Sequence, residues 1–90
     1  MNIQRQAMAG TLESNDVLVT VSPAQEGIEL ALTSIVLSQF GEQIRQAALD
    51  TAREMGVTAA HIELNDRGAV ECTIKARVET ALRRAGEEQP

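Results

Sequence analysis

Val17-Leu18-Val19-Thr20-Val21, followed by Pro23, Gln25-Glu26-Gly27 and then Ile28-Glu29-Leu30-Ala31-Leu32, is the stretch that decides the fold. Val17, Val19 and Val21 recur at the two-residue period of a strand and therefore share one face. Pro23 ends that run, because it brings no N–H to a ladder, and Gly27 supplies the turn. Ile28, Leu30 and Leu32 then repeat the alternation. Two such runs predict a β-hairpin whose loop is longer than the two-residue minimum.

Downstream the period changes. From about Ser38 to Met55 the residues Leu37, Phe40, Ile44, Ala47 or Ala48, Thr51 or Ala52, and Met55 fall three and four apart, which predicts a helix that Gly56 terminates. Ser34 and Ser38 are equally suited to cap its start. Val57 to Leu64 returns to the strand period, with Ala60, Ile62 and Leu64 facing in and Ala59, His61 and Glu63 facing out. Asn65-Asp66-Arg67-Gly68 marks a turn. Val70, Ile74, Val78, Ala81, Leu82 and Ala85 then make the stripe of a second helix, with Glu71, Lys75, Arg77, Glu79 and Arg83 on its other side.

The order ββαβα predicts an α+β fold: a two-layer sandwich in which a small, largely antiparallel three-stranded sheet is covered by two helices, its other face wet or docked onto a partner. Residues 1–15 show no sustained period and read as a flexible exposed arm, 16–85 as a single domain, and 86–90 as a disordered tail. Ninety residues, 43% of them hydrophobic, suit one core and not two. That core is aliphatic, since Phe40 is the only aromatic residue.

Thirteen acidic residues against eight basic ones give a net charge of −5, a field that repels phosphate backbones. No Lys/Arg stripe is interleaved with aromatics, so a nucleic-acid partner is not expected. Aliphatic runs such as Ile35-Val36-Leu37 fall far short of the roughly 20 residues that cross a bilayer, so no membrane partner is expected either. A single cysteine, Cys72, fits a reducing, cytoplasmic compartment, and no Cys/His spacing offers a metal site.

The segment with chemical promise is Ala9-Gly10-Thr11-Leu12-Glu13-Ser14-Asn15-Asp16. Serine beside Asn and Asp ordinarily makes a turn or starts a strand. No histidine is near Ser14 in sequence to activate it, so the hydroxyl is better suited to receive a group than to attack a substrate. Glu13 and Asp16, as exposed carboxylates, are weak bases toward a hydroxyl and read as recognition features for a modifying enzyme. His61 reads as a surface residue, and Cys72 lies off the apolar stripe of its helix. No residue is expected to be catalytic.

The run Gly10-Thr11-Leu12-Glu13-Ser14-Asn15-Asp16 before a valine-rich strand resembles the start of the acyl carrier, or gamma, subunit of citrate lyase. The likeness continues through Gln39-Phe40-Gly41 opening a long helix, Asn65-Asp66-Arg67-Gly68-Ala69 before the last helix, and Cys72 with Ala76-Arg77 inside it, so that it spans nearly the whole chain. The resemblance implies that Ser14 covalently carries a phosphoribosyl-dephospho-coenzyme A arm whose thiol holds acetyl and citryl groups while citrate is cleaved to acetate and oxaloacetate. The implied partners are an alpha subunit (acyl transfer), a beta subunit (citryl cleavage), a holo-carrier synthase that installs the arm, and an acetylating ligase. The carrier subunit of malonate decarboxylase is the neighbouring family, and its Asn-Asp-x-Gly-Ala turn is also similar. The fatty-acid type of carrier differs, because its Asp-Ser-Leu signature and four-helix pattern are missing here. A small ββαβα interaction module without a prosthetic group fits the same strand and helix pattern.

Overall fold

In a computed structural model describing residues 1–86, the chain folds in the order β1 (Ala7–Gly10), β2 (Val17–Ser22), β3 (Gly27–Ser34), α1 (Leu37–Glu54), β4 (Ala59–Asp66) and α2 (Glu71–Gly86). The expected tail beyond Gly86 lies outside the described residues, and Gly86 itself is the last residue of α2.

The sheet has four strands, not three, in the order β1-β2-β4-β3. The additional strand is Ala7–Gly10, inside the segment that the sequence presents as an arm. It pairs antiparallel with β2, from Ala7 opposite Val21 to Gly10 opposite Leu18. The hairpin is therefore β1–β2, and the expected one between β2 and β3 does not form. β4 lies between those two strands, antiparallel to β2 (Val17 opposite Asp66) and parallel to β3 (Ser34 opposite Asp66). The reason lies in the connection: α1 carries the chain from the end of β3 back to its start, so the next strand enters alongside β3 in the same direction. Two of the three pairings remain antiparallel.

The register puts one apolar residue of each pair on one face. Ala9, Val17, Val19, Val21, Ala60, Ile62 and Leu64 are buried there, and Ile28, Leu30 and Leu32 pack against them from the edge strand. α1 covers the β3 side through Ile44, Ala47, Ala48 and Ala52, and α2 covers β1 and β2 through Ile74, Val78, Ala81, Leu82 and Ala85. Both helix stripes are as the periodicity predicts except at their starts. Phe40 is 48% exposed and Val70 63%, because the first turn of α1 and the residue just ahead of α2 lie at the rim of the sheet, with Leu37 and Ile35 also exposed.

α1 ends as its sequence demands. Gly56 takes φ 74°, its N–H bonds Arg53 O (3.0 Å), and Val57 N–H bonds Ala52 O (2.9 Å), the two-bond closure that a left-handed glycine allows. Neither candidate serine caps its start, since Val36 occupies that position without a side-chain bond. Ser34 instead accepts the Val36 N–H and donates to Asp66. At the other end of the molecule Arg84 donates to Met8 O (2.8 Å), and Gln4 and Arg5 N–H both bond Ala85 O, which stitches α2 to the strand that sequence periodicity does not predict.

Candidate functional site

The parallel pair β3–β4 ends where β2 begins, and both helices start there. The six-residue loop of the β1–β2 hairpin, residues 11–16, stands at that same pole. Ser14 is exposed at its corner. The Asp16 N–H closes a turn onto Glu13 O (3.2 Å), which leaves Ser14 and Asn15 at its two central positions. Asn15 has φ 66°, the left-handed region that Asn tolerates better than other residues with a Cβ.

The turn runs directly into a bulge. Asn15 N–H bonds Arg67 O (2.8 Å) while Arg67 N–H bonds Asp16 O (2.9 Å), so two residues of one strand oppose a single residue of the other. With the first of the two in the left-handed region, this is the G1 arrangement, with Asn where Gly is usual. Such bulges redirect the chain at the end of a ladder. Here the effect is to raise Ser14 clear of the sheet, and its hydroxyl makes no hydrogen bond among the described residues.

The base of the loop is firmly held. Gly10 has φ 90°, and a Cβ there would lie 1.8 Å from Val17 O, so the hairpin closes only on glycine. Asp16 accepts from Thr11 Oγ1 (2.8 Å), from Val17 N–H (2.8 Å), and from Arg77 of α2 through Nε (3.0 Å) and a terminal nitrogen (3.2 Å). Arg77, then Thr11, then the Val17 N–H stabilise the ionised carboxylate and hold its pKa down at about 2 against an ordinary 3.8. The same pair raises the pKa of Arg77. Asp16 is thus engaged in fixing the loop to α2, with only 13% of its side chain exposed. Of the two carboxylates that flank Ser14 and read as recognition features, Glu13 alone is exposed.

Sequence reasoning missed the role of Asp66. It is completely buried at the end of β4 and satisfied by three donors: Ser34 Oγ (2.8 Å), Gly68 N–H (3.2 Å) and Ala69 N–H (3.0 Å). It therefore joins the end of β3 to the entry of α2 directly beneath the Ser14 loop. The available signal was an aspartate two residues before a glycine, in a turn that leads into a helix.

His61 lies at the far end of β4, opposite Ser22 and Glu29, with Nδ1 3.2 Å from Glu29 Oε2. It is remote from Ser14, so the one imidazole of the chain has no part in activating that hydroxyl. Cys72 is exposed in the first turn of α2. Among the described residues no three His, Cys, Asp or Glu side chains converge as a metal site would require, and no helix is long and apolar enough to cross a membrane. Beside the loop, an apolar hollow of about 390 Å³ opens between the starts of the two helices, lined by Phe40, Ile44, Val70 and Ile74 among others and reaching Gly68. The pole offers an unengaged hydroxyl on a pinned turn, without the paired acid and base that chemistry on a substrate needs.

The family model described as Malonate decarboxylase delta subunit (MdcD) matches residues 4–85. The citrate lyase acyl carrier protein of Rhodopseudomonas palustris (strain BisA53) is 48% identical over 88 residues, which cover 98% of this chain and 91% of that protein. The protein of the same name from Treponema denticola is 51% identical over 87 residues, 97% of this chain and 99% of its own length. Among solved structures, a chain of a Pseudomonas malonate decarboxylase hetero-tetramer in complex with malonate superposes with a TM-score of 0.66 at 22% identity, covering 93% of this chain and 87% of that one, a likeness of fold.

Proposed function

Because this chain belongs to the citrate lyase acyl carrier protein family, we propose that it works as the non-catalytic acyl carrier of a citrate lyase complex, with Ser14 as the residue that bears the prosthetic group. The observation that carries the assignment of Ser14 is its placement: an exposed, unbonded hydroxyl at the corner of a turn whose base is tied down. A modifying enzyme can reach that oxygen without unfolding anything, and a phosphodiester built on it meets no wall. These features fit a phosphoribosyl-dephospho-coenzyme A group. When bound, that group supplies a thiol for acyl exchange.

The chain's own residues then have three tasks. Ser14 provides the attachment oxygen. Asn15, Asp16 and Arg77 fix the direction in which it points, and Glu13 is left as the acidic feature that a transferase can read. Acyl transfer and citryl cleavage fall to alpha and beta subunits, arm installation to a holo-carrier synthase and acetylation to a ligase, all in the cytoplasm. Intact-mass and peptide mapping of the protein purified from its native host test the reading. An adduct of the arm's mass on the peptide that contains Ser14 is the expected result, and an unmodified Ser14 would favour an interaction module without a prosthetic group.

The family description and the fold of the malonate decarboxylase chain favour a second reading, in which the same carrier serves a decarboxylase. Reconstitution with the partner subunits of its own host separates the two. Oxaloacetate released from citrate supports the first, and carbon dioxide released from malonate the second.

A further inference from the structure

Arg67 is the residue that faces the Ser14 turn across the bulge. Its backbone is locked on both sides, to Asn15 N–H (2.8 Å) and to Asp16 O (2.9 Å), while its side chain is exposed and makes no ion pair or side-chain hydrogen bond among the described residues. Ser14 is the next residue along the chain from Asn15, one Cα step of about 3.8 Å from the residue whose N–H Arg67 O accepts.

The other arginine at the loop is already engaged. Arg77 spends Nε and one terminal nitrogen on Asp16, and that pair is internally neutral. A phosphodiester on Ser14 adds a negative charge to a chain that already carries −5, and it adds it beside Glu13. Phosphate oxygens in such a setting are best met by a guanidinium, which can give two parallel N–H bonds to them.

Resting on the reading of Ser14 as the attachment residue, we infer that Arg67 is a positioning residue that pairs with the phosphodiester and so sets the direction in which the arm leaves the carrier. The bulge serves this arrangement by bringing one unpartnered arginine next to the one serine that is modified.

The test uses apo and holo carrier from the same host. Conversion to the holo form should shift the Arg67 Nε–H cross-peak in a proton–nitrogen spectrum at low salt, and 1 M salt should largely reverse that shift. The phosphorus resonance of the Ser14 diester should move in Arg67→Gln, and Arg67→Lys should return it part of the way. An Arg67 signal identical in apo and holo protein, or a phosphorus resonance indifferent to Arg67→Gln, overturns the inference even though peptide mapping finds the adduct on Ser14. If mapping finds no adduct on Ser14, the attachment reading fails and the inference falls with it, so the two failures are distinguishable.

Discussion

Arg77 on α2 grips Asp16 at the base of the Ser14 loop through two hydrogen bonds, of 3.0 and 3.2 Å, across a sequence separation of 61 residues. Folding therefore favours the ionised form of Asp16, whose pKa falls from 3.8 to about 2. The stability this confers is fully present above the unfolded value of 3.8 and is lost as pH falls through about 2. Asp16→Asn should be less stable than wild type at neutral pH, and urea titrations at several pH values should show the gap closing between those two limits. A gap that does not change with pH would mean that ionisation of Asp16 contributes nothing to stability. Since Asp16→Lys would set two cations against each other, Glu13→Lys alone is the variant that probes recognition by a transferase.

Ser14→Ala removes an exposed hydroxyl with no hydrogen-bond partner among the described residues. Its unfolding free energy should stay within about 0.5 kcal/mol of wild type, while mass spectrometry finds no arm. Cys72→Ser, exposed on α2, should keep both the arm and its acyl load. Acyl loading of Ser14→Ala, or its loss from Cys72→Ser with the arm intact, would contradict the assignment.

At Asn15 the backbone conformation decides the outcome. With φ at 66°, Asn15→Gly should be close to neutral. A β-branched side chain does not tolerate that region, so Asn15→Val should cost about 1–2 kcal/mol in denaturant midpoints converted to free energy. Equal stability of the two variants would show that the turn rearranges.

The buried carboxylate of Asp66 serves three donors, and Ser34 is only one of them. Ser34→Ala should therefore cost about 1 kcal/mol, whereas Asp66→Ala strands several buried donors and should cost roughly 3 kcal/mol or more, at about 1–3 kcal/mol for each unmet group. Calorimetry or urea unfolding orders them. A smaller loss for Asp66→Ala than for Ser34→Ala would refute the role given to it.

The strands of the sheet's middle and the faces of both helices are legible in the sequence because alternation and helical spacing report directly which side chains are buried. Alternation says nothing about which strand lies beside which. For that reason adjacency in sequence alone sets β3 beside β2, although a strand, an 18-residue helix and another strand in succession are a crossover unit that calls for parallel pairing, here of β3 with β4. Ala7-Met8-Ala9-Gly10 has no β-branched residue, and its strand state comes from the open edge of β2, from the bond that Arg84 of α2 donates to Met8 O, and from the bonds that Gln4 and Arg5 N–H donate to Ala85 O of α2. Ser14 is singled out in the sequence by its neighbours, Gly10 to Asp16. The grip of Arg77 on Asp16 could not be, because a contact across 61 residues leaves no local pattern.

On the proposed attachment at Ser14, a tethered group would search space from a root, and the pinned loop would determine how that search behaves. Gly10, the bulge at Asn15 and the Arg77 clamp remove most of the freedom that a loose arm would add to the chain's end of the tether. The swept volume would then be set mainly by the length and stiffness of the group, and effective concentration at a partner's site falls once the tether exceeds the span it must bridge. A fixed root keeps the tether short for a given reach. Lengthening the 11–16 loop with flexible residues would dilute the cargo at both sites at once while leaving every group that touches it unchanged.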